Sequence, residues 1–193
     1  PIYDHFTIPS SELSPEAAAS YRHAHPQLKE MTQRYVLSYH ISPEMYAGHR
    51  DANLMGHAIE EAVYAPLYYG YGGEGEWGDR VSTARHIEKR MVEMAPDTVH
   101  VLLTCAPEVI RKRMKEDPHT NSLVQDKDVA LVLRRFEEEY ERSLINNKFT
   151  IDTSTATPEE CVAEFLEKYE PFMTVPDRTR ILVHEARQRD KWL

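Results

Sequence analysis

The sequence contains little of what several classes of protein require. Its two cysteines, Cys105 and Cys161, are too few and too far apart for a disulfide framework or a four-ligand zinc site. No run approaches the roughly 18 consecutive apolar residues that a membrane-spanning helix needs. The first residues have neither the basic nor the apolar region of a signal peptide. We therefore expect a cytoplasmic protein that does not bind a membrane.

Basic residues are scarce relative to acidic ones. The 193 residues include 23 Lys and Arg against 32 Asp and Glu, a formal net charge of −9. This balance disfavours a sequence-independent nucleic-acid binder, which needs a basic face to neutralise phosphates. A small phosphorylated ligand is compatible with it, because one pocket needs only a few cations. The ten histidines include no His-Glu-x-x-His signature, so we predict no metal site.

The start of the chain predicts one strand and two helices. Residues 2–8 have an extended, alternating pattern. Ser14 followed by proline is typical of a helix start, and Pro26 ends this helix and precedes a second one. The second helix has an apolar stripe at helical spacing, formed by Leu28, Met31, Tyr35 and Tyr39.

Two further helices flank a glycine-rich loop. Residues 54–69 have the pattern of a helix with a kink near Pro66, and residues 79–94 that of an amphipathic helix capped by Asp79. Five of the seven glycines fall within residues 70–78, which we predict to be the main flexible loop.

The second half of the chain alternates strands and helices. An apolar strand over 98–104 precedes a helix that starts at Pro107, and a second strand over 148–152 precedes a capping box at Thr157. A long helix over 128–144 lies between them. This order builds parallel sheets, so we predict an α/β fold with three layers: a mostly parallel sheet and helices on both faces. We expect one domain over residues 1–170 and an appendage over 171–193.

Three segments of this half resemble the P-loop nucleotide kinases, the thymidylate-kinase-like group especially. Residues 96–114 read PDTVHVLLTCAPEVIRKRM, an apolar strand followed by small residues, Pro-Glu, an apolar pair and arginine. Residues 133–140 resemble the helix after the lid of these kinases, and residues 149–160 resemble their last strand, base-contacting loop and final helix start. A weaker match covers residues 59–64, which resemble the helix that follows the Asp-Arg motif of these kinases. Gly56-His57 stand where Asp-Arg is usual. The resemblance implies a kinase-like scaffold that uses ATP and Mg²⁺ if active.

The phosphate-binding loop of these kinases is not encoded in this sequence. Such a loop ends in Gly-Lys-Ser/Thr and cradles phosphates with its backbone N–H groups. The sequence has no Gly-Lys dipeptide, and the 70–78 loop carries Glu74 and Glu76, which would repel a triphosphate. Either the loop and its strand precede this segment in a longer protein, or the protein does without them.

The two alternatives lead to different functions. The first implies part of an ATP-dependent nucleotide kinase, and the second implies a non-catalytic binding or assembly subunit. In both, we expect the chain to be inactive alone and to form a homo-oligomer or bind a partner chain. The strand with the phosphate loop is central in these kinases, so its absence leaves open sheet edges, which either residues 2–8 or a partner chain would cover. A small hydrolase or transferase on another α/β scaffold is a weaker alternative without a visible nucleophile motif.

The resemblance also suggests site residues. It implies Glu61 and Arg80 around the phosphoryl acceptor and Arg113 on the phosphates. Arg111 would bind the nucleotide cofactor with Asp152 and Thr153, which end a strand at its carboxyl edge, where open α/β sheets bind ligands. The ordinary alternatives are solvated helix arginines and a polar turn before Thr157.

Carboxylates and tyrosines also combine on the predicted helix over 54–69. One of Glu60 and Glu61 is a candidate general base or Mg²⁺ ligand, and Tyr64 and Tyr68 are candidates for stacking on a substrate base. Packing in the core or at its rim is the alternative for these tyrosines.

Overall fold

The computed structural model describes residues 2–4, 14–43, 52–118 and 122–190. The protein is a mixed α/β protein that is mostly helical. It divides into two compact units, one formed by residues 1–96 and 106–145 and the other by residues 97–105 and 146–193. Within the described ranges, no helix is both long and apolar enough to cross a membrane.

The first unit contains two short strands and six α-helices among its described residues. The strands β1 and β2 pair in parallel, and the helix-rich remainder includes one π-helical and one 3-10 turn. The elements are β1 (Ile2–Asp4), α1 (Pro15–Arg22), α2 (Pro26–His40), β2 (Ala52–Leu54), α3 (His57–Tyr64), the π-helical turn Ala65–Tyr69, α4 (Arg80–Met94), α5 (Pro107–Glu116), the 3-10 turn Asp126–Asp128 and α6 (Val129–Arg142).

Side-chain caps begin the helices where the sequence predicts starts. The Ser14 hydroxyl accepts a hydrogen bond from the Ala17 backbone, and the Asp79 carboxylate accepts one from Ser82. Both caps satisfy N–H groups that no helical carbonyl reaches. The predicted kink near Pro66 takes the form of the π-helical turn, because proline has no N–H to continue the α-helical ladder.

The core of the first unit lies between α2, α3 and α4. Alanines at the centre let these helices approach closely, and larger aliphatic side chains fill the remaining space. The buried members are Leu37, Ile41, Ala58, Ala62, Val81, Ala84, Ile87 and Met91.

Helix α2 does not bury the apolar stripe that its sequence suggests. Leu28, Met31, Tyr35 and Tyr39 are all exposed. The buried face carries Leu37 together with the polar residues Glu30 and Gln33. An ion pair of Glu30 with Arg80 of α4 compensates for the burial of its carboxylate, and this allows the polar face to turn inward.

The second unit is built on two parallel strands. β3 (His100–Thr104) and β4 (Lys148–Asp152) pair in parallel, in register from His100 opposite Lys148 to Thr104 opposite Asp152, and this agrees with the parallel strands predicted there. The strands are followed by α7 (Pro158–Tyr169), a 3-10 turn (Glu170–Phe172) and α8 (Val175–Asp190). Rings of Phe165 and Phe172 pack on Phe149, so the aromatic side of β4 is covered.

The sheet is smaller than the sequence suggests. The described strands form two separate two-stranded parallel sheets, β1–β2 and β3–β4, and β1 and β2 have three residues each. Parallel strands therefore agree with the predicted class, whereas the three-layer arrangement stays a prediction. Residues 5–8 of the first predicted strand lie outside the described residues, and the predicted appendage contributes α8 to the second unit.

The capping box of α7 provides a test of local stability. The Thr157 hydroxyl accepts from the Glu160 N–H, and the Glu160 carboxylate accepts from the Thr157 N–H. We expect Thr157→Ala to lower the free energy of unfolding by about 1 kcal/mol, measured by urea denaturation followed by circular dichroism. Thr155→Ala, at an exposed position of the same loop, is the matched control. Equal stability of the two variants would contradict this role of Thr157.

Candidate functional site

A tight turn connects strand β2 to helix α3. Gly56 has φ +72° and ψ −64°, and the His57 N–H donates to the Met55 carbonyl at 2.8 Å, which together define a γ-turn of the rare, strained type. His57 follows with φ +47°, also in the left-handed region. A Cβ on Gly56 would lie 2.0 Å from Glu60 Oε2, so only glycine fits under this carboxylate. Strain of this kind at the end of a parallel strand is common at ligand sites.

Helix α3 directs Glu61 into the protein, where it meets Arg80 of α4. Arg80 Nε lies 3.1 Å from Glu61 Oε2, and Arg80 Nη2 lies 3.2 Å from Glu30 Oε1. The same nitrogen donates to the Glu30 carbonyl at 3.2 Å. Arg80 is 3% exposed, so its charge is balanced almost wholly by protein groups. The structure thus brings together Glu61 and Arg80, the two residues predicted around the acceptor. The guanidinium of Arg80, however, is already paired with the carboxylates of Glu61 and Glu30.

The glycine loop holds this ion pair in place. The Tyr71 hydroxyl donates to Glu61 Oε2 at 3.1 Å, and the Arg80 guanidinium lies 5.0 Å from the centre of the Tyr71 ring. The Gly72 carbonyl accepts from the Arg80 N–H at 3.0 Å. A Cβ on Gly72, whose φ is +92°, would lie 2.9 Å from Arg80 Cγ, so glycine is required for this close approach.

The same loop does not fit the phosphates of ATP. The Gly75 N–H donates to the Asp79 carboxylate at 2.9 Å, and the Gly72 N–H donates to the Trp77 carbonyl at 3.2 Å. These amides are already bound within the loop, whereas a phosphate cradle needs them directed at the ligand. Glu74 adds a negative charge that pairs with Arg142. The loop therefore does not have the arrangement of a phosphate-binding loop.

Glu60 differs from Glu61 although the two are adjacent. Burial, and then the charge of Glu61, raise the pKa of Glu60 from 4.5 to about 7. Burial also raises the pKa of Glu61, but Arg80 and the Tyr71 hydroxyl act in the opposite direction. Glu61 is a positioning residue inside the ion pair, and Glu60 is the carboxyl group that can gain or lose a proton near neutral pH.

Two tyrosines lie on the helix and turn that follow Glu60. The Tyr64 ring stands edge-on to Phe136 of α6, with ring centres 5.5 Å apart, and its centre is 6.0 Å from that of Tyr68. Burial raises the pKa of Tyr64 to about 12, so it stays protonated. The Tyr68 hydroxyl donates to Asp128 at 3.4 Å. Both rings are half-buried, so each keeps some surface for stacking.

The two arginines predicted on phosphates lie on helix α5. Arg111 Nε donates to the Asp126 carbonyl at 3.1 Å and lies 3.8 Å from the Asp126 carboxylate. Arg113 is exposed. A shallow depression next to them is lined by residues of both charges: Glu108, Arg111, Lys112, Lys115 and Glu116. This mixture gives weaker attraction for an anion than a cluster of cations would.

Asp152 and Thr153 belong to the second unit. Asp152 Oδ1 accepts from the Ser154 N–H at 2.9 Å and from the Ser154 hydroxyl, and these bonds lower the pKa of Asp152. Thr153 donates to the Thr104 carbonyl through both its N–H, at 2.8 Å, and its hydroxyl, at 3.0 Å. These contacts form a polar turn before Thr157, which is the arrangement expected if Asp152 and Thr153 do not contact a base.

Sequence reasoning missed three groups on which the site depends. Glu30 lies on α2 outside the predicted apolar stripe, and Tyr71 and Gly72 lie in a loop that the sequence predicts only to be flexible. Glu30 shares a helical face with Gln33 and Leu37, and this mostly polar register does not by itself indicate burial. Its buried partner, Arg80, lies fifty residues further along the chain.

Comparisons with protein-family models, with curated proteins and with solved structures found no match to this chain. Within the ranges that the structure describes, no group of three or more His, Cys, Asp and Glu side chains is arranged to hold a metal ion. The geometry of the Glu60–Glu61–Arg80 site is therefore the basis for inferring function.

Removal of Arg80 tests whether the ion pair supports the fold. We expect Arg80→Met to lower the free energy of unfolding by about 3–5 kcal/mol, because it leaves the carboxylates of Glu30 and Glu61 buried without a cation. Urea denaturation measures this, with Arg90→Met, exposed on the same helix, as the control. The double variant Arg80→Met/Glu61→Leu should recover part of the loss. An Arg80→Met protein as stable as the Arg90→Met control would contradict the role assigned to this pair.

The pKa of Glu60 predicts a pH-dependent stability. The unfolded chain ionises this carboxyl near pH 4.5 and the folded chain near pH 7, so the folded state loses stability as the pH rises through that window. We expect the free energy of unfolding of Glu60→Gln, relative to that of the natural protein, to rise by up to about 3 kcal/mol as the pH increases from 4.5 to 8. Denaturation at several pH values measures it, with the exposed Glu93→Gln as the control for loss of one charge. A difference that does not vary with pH would contradict the raised pKa.

Proposed function

We propose that this chain is a kinase-like module that binds the nucleoside part of a phosphoryl acceptor and does not transfer phosphate by itself. One observation carries the proposal: the ion pair with Arg80 fixes Glu61, and this leaves Glu60, with a pKa of about 7, at the turn after a parallel strand. A carboxyl group in that state can accept a proton from a hydroxyl group or donate a hydrogen bond to one.

The aromatic rings near Glu60 support a nucleoside as the ligand. Tyr64 and Tyr68 follow Glu60 by one and two helical turns, and their rings are 6.0 Å apart. Half-buried rings of this kind can stack on a base, while a neighbouring carboxyl group binds a sugar hydroxyl. A free triphosphate is a poorer candidate, because the buried guanidinium of Arg80 is already paired with the carboxylates of Glu61 and Glu30.

The parallel pair of β3 and β4 supports the kinase-like interpretation. A crossover of more than forty residues, from Cys105 to Asn147, connects the two strands, and it contains helices α5 and α6. Crossovers that return a strand parallel to its predecessor are the connection expected of an α/β nucleotide-binding scaffold. The missing Gly-Lys-Ser/Thr motif and the internally bonded glycine loop support the inactivity of the chain alone.

Calorimetry with thymidine, thymidine monophosphate and ATP tests the proposal. We expect thymidine and its monophosphate to bind and ATP to show no hydrolysis. Tyr68→Leu should weaken binding by about tenfold, because one stacking contact is lost, whereas Tyr68→Phe, which keeps the ring, should bind as the natural protein does. Tyr35→Leu, on the exposed face of α2, is the matched control.

Two results would overturn the proposal. One is the absence of binding by both thymidine compounds under conditions where the protein is folded. The other is phosphate release from ATP that disappears in an Arg113→Ala variant, because the chain would then contain a working phosphate site.

The exposed stripe of α2 favours a second candidate function, that of a non-catalytic assembly subunit. Leu28, Met31, Tyr35 and Tyr39 place four large apolar side chains along one exposed helix face, and exposed patches of this kind mark interaction surfaces. A protein that binds no nucleoside but whose association is abolished by Tyr35→Asp would fit this candidate.

A further inference from the structure

Strand β3 has an open edge. The register of β3 with β4 turns the backbone groups of His100, Leu102 and Thr104 toward β4: the His100 N–H donates to the Asn147 carbonyl, and the Thr153 N–H donates to that of Thr104. The backbone N–H and C=O groups of Val101 and Leu103 therefore face the other way. In the part of the chain that the structure describes, no other strand pairs with this side of β3.

The opposite edge of the sheet, formed by β4, carries charged groups. The Thr150 carbonyl of β4 faces away from β3, and Lys168 Nζ donates to it at 2.8 Å. The side chains of Lys148 and Asp152 add charge along the same strand. Charged groups at an edge are the usual protection against pairing with another strand.

The open edge of β3 has none of these protections. Residues 98–107 contain no Lys, Arg, Asp or Glu, although the chain as a whole has a net charge of −9. Leu103 is 62% exposed, whereas Ile151, its neighbour across the strand pair, is 2% exposed. β3 also has the continuous apolar sequence of a strand covered on both sides. For two copies that repel one another overall, contact through this uncharged stretch brings no further like charges together.

We propose that the open edge of β3 pairs with β3 of a second copy of this chain. An antiparallel arrangement with its two-fold axis at Leu102 places Val101 opposite Leu103 of the other copy. Each such pair exchanges two backbone hydrogen bonds, so all four outward N–H groups and their carbonyls are satisfied. The arrangement is self-complementary, as a two-fold interface must be. It makes a continuous four-stranded sheet from two copies.

The size of the contact sets the strength to expect. One strand pair buries less than the roughly 1,600 Å² of a standard interface, so the association is weak, with a dissociation constant on the order of 100 µM. Sedimentation velocity from about 10 to 500 µM measures it on the full chain. The pairing uses only residues of β3, in the second unit, and none of the residues that we propose to bind a nucleoside.

The substitution Leu103→Pro tests whether the open edge of β3 forms the dimer contact. The Leu103 N–H faces this edge, so Leu103→Pro removes no hydrogen bond between β3 and β4. It does remove two of the four bonds in the dimer, one from each copy, and should weaken association by about thirtyfold. Leu103→Ala keeps the N–H and is the matched control, with a smaller loss. Circular dichroism and urea denaturation of each variant establish that it remains folded.

Cysteine cross-linking tests the register without relying on a loss of binding. In a Cys105→Ala/Cys161→Ala background, Leu102→Cys places two thiols opposite each other across the axis, at a separation that a disulfide can span. Cysteine at 103 faces position 101 instead and should cross-link far less. A monomer at 500 µM, association unaffected by Leu103→Pro, or equal cross-linking at 102 and 103 would each overturn the proposal, the second by locating the interface elsewhere, for example on α2.

Discussion

A buried arginine with two carboxylates organises the first unit. Arg80 is 3% exposed, and it binds Glu61 of α3 and Glu30 of α2 from its own helix α4. A single guanidinium thus connects the three helices that form the hydrophobic core. Since an unpaired charge at this depth costs several kcal/mol, the three side chains depend on one another. The glycine loop completes the arrangement, because Gly72 and Tyr71 pack directly against the arginine.

The same interaction separates the roles of two adjacent carboxylates. Glu61 receives hydrogen bonds from Arg80 and Tyr71, so it is fixed, and its charge is balanced. Glu60 has neither partner, lies against Gly56, and titrates near neutral pH. A ligand hydroxyl can therefore form a hydrogen bond with Glu60 more easily than with Glu61. The resemblance to kinases suggests Glu61 around the acceptor, whereas we propose Glu60 for the contact with a ligand hydroxyl.

The sequence predicts contacts that depend on local pattern and leaves out those that depend on burial. Caps at Ser14, Asp79 and Thr157 and the parallel pairing of β3 with β4 follow from residue type and alternation, and the structure has them. The exposed face of α2 could not be predicted, because Leu28 and Tyr35 have the spacing of a core stripe. Only the position of Arg80 in space explains why Glu30 faces inward instead. The strained turn at Gly56 is likewise invisible in sequence, since one glycine is compatible with many backbone conformations.

The two units use polar groups in opposite ways, and this bears on how the protein can work. In the first, Arg80 balances the buried carboxylates of Glu30 and Glu61, so the positions of these polar groups are fixed within the unit. In the second, the backbone groups of Val101 and Leu103 face away from β4, and residues 98–107 contain no Lys, Arg, Asp or Glu. Unpaired backbone N–H and C=O groups next to an exposed leucine favour pairing with another strand. The proposed nucleoside site and the proposed strand pairing therefore use different residues, and each can be tested without the other.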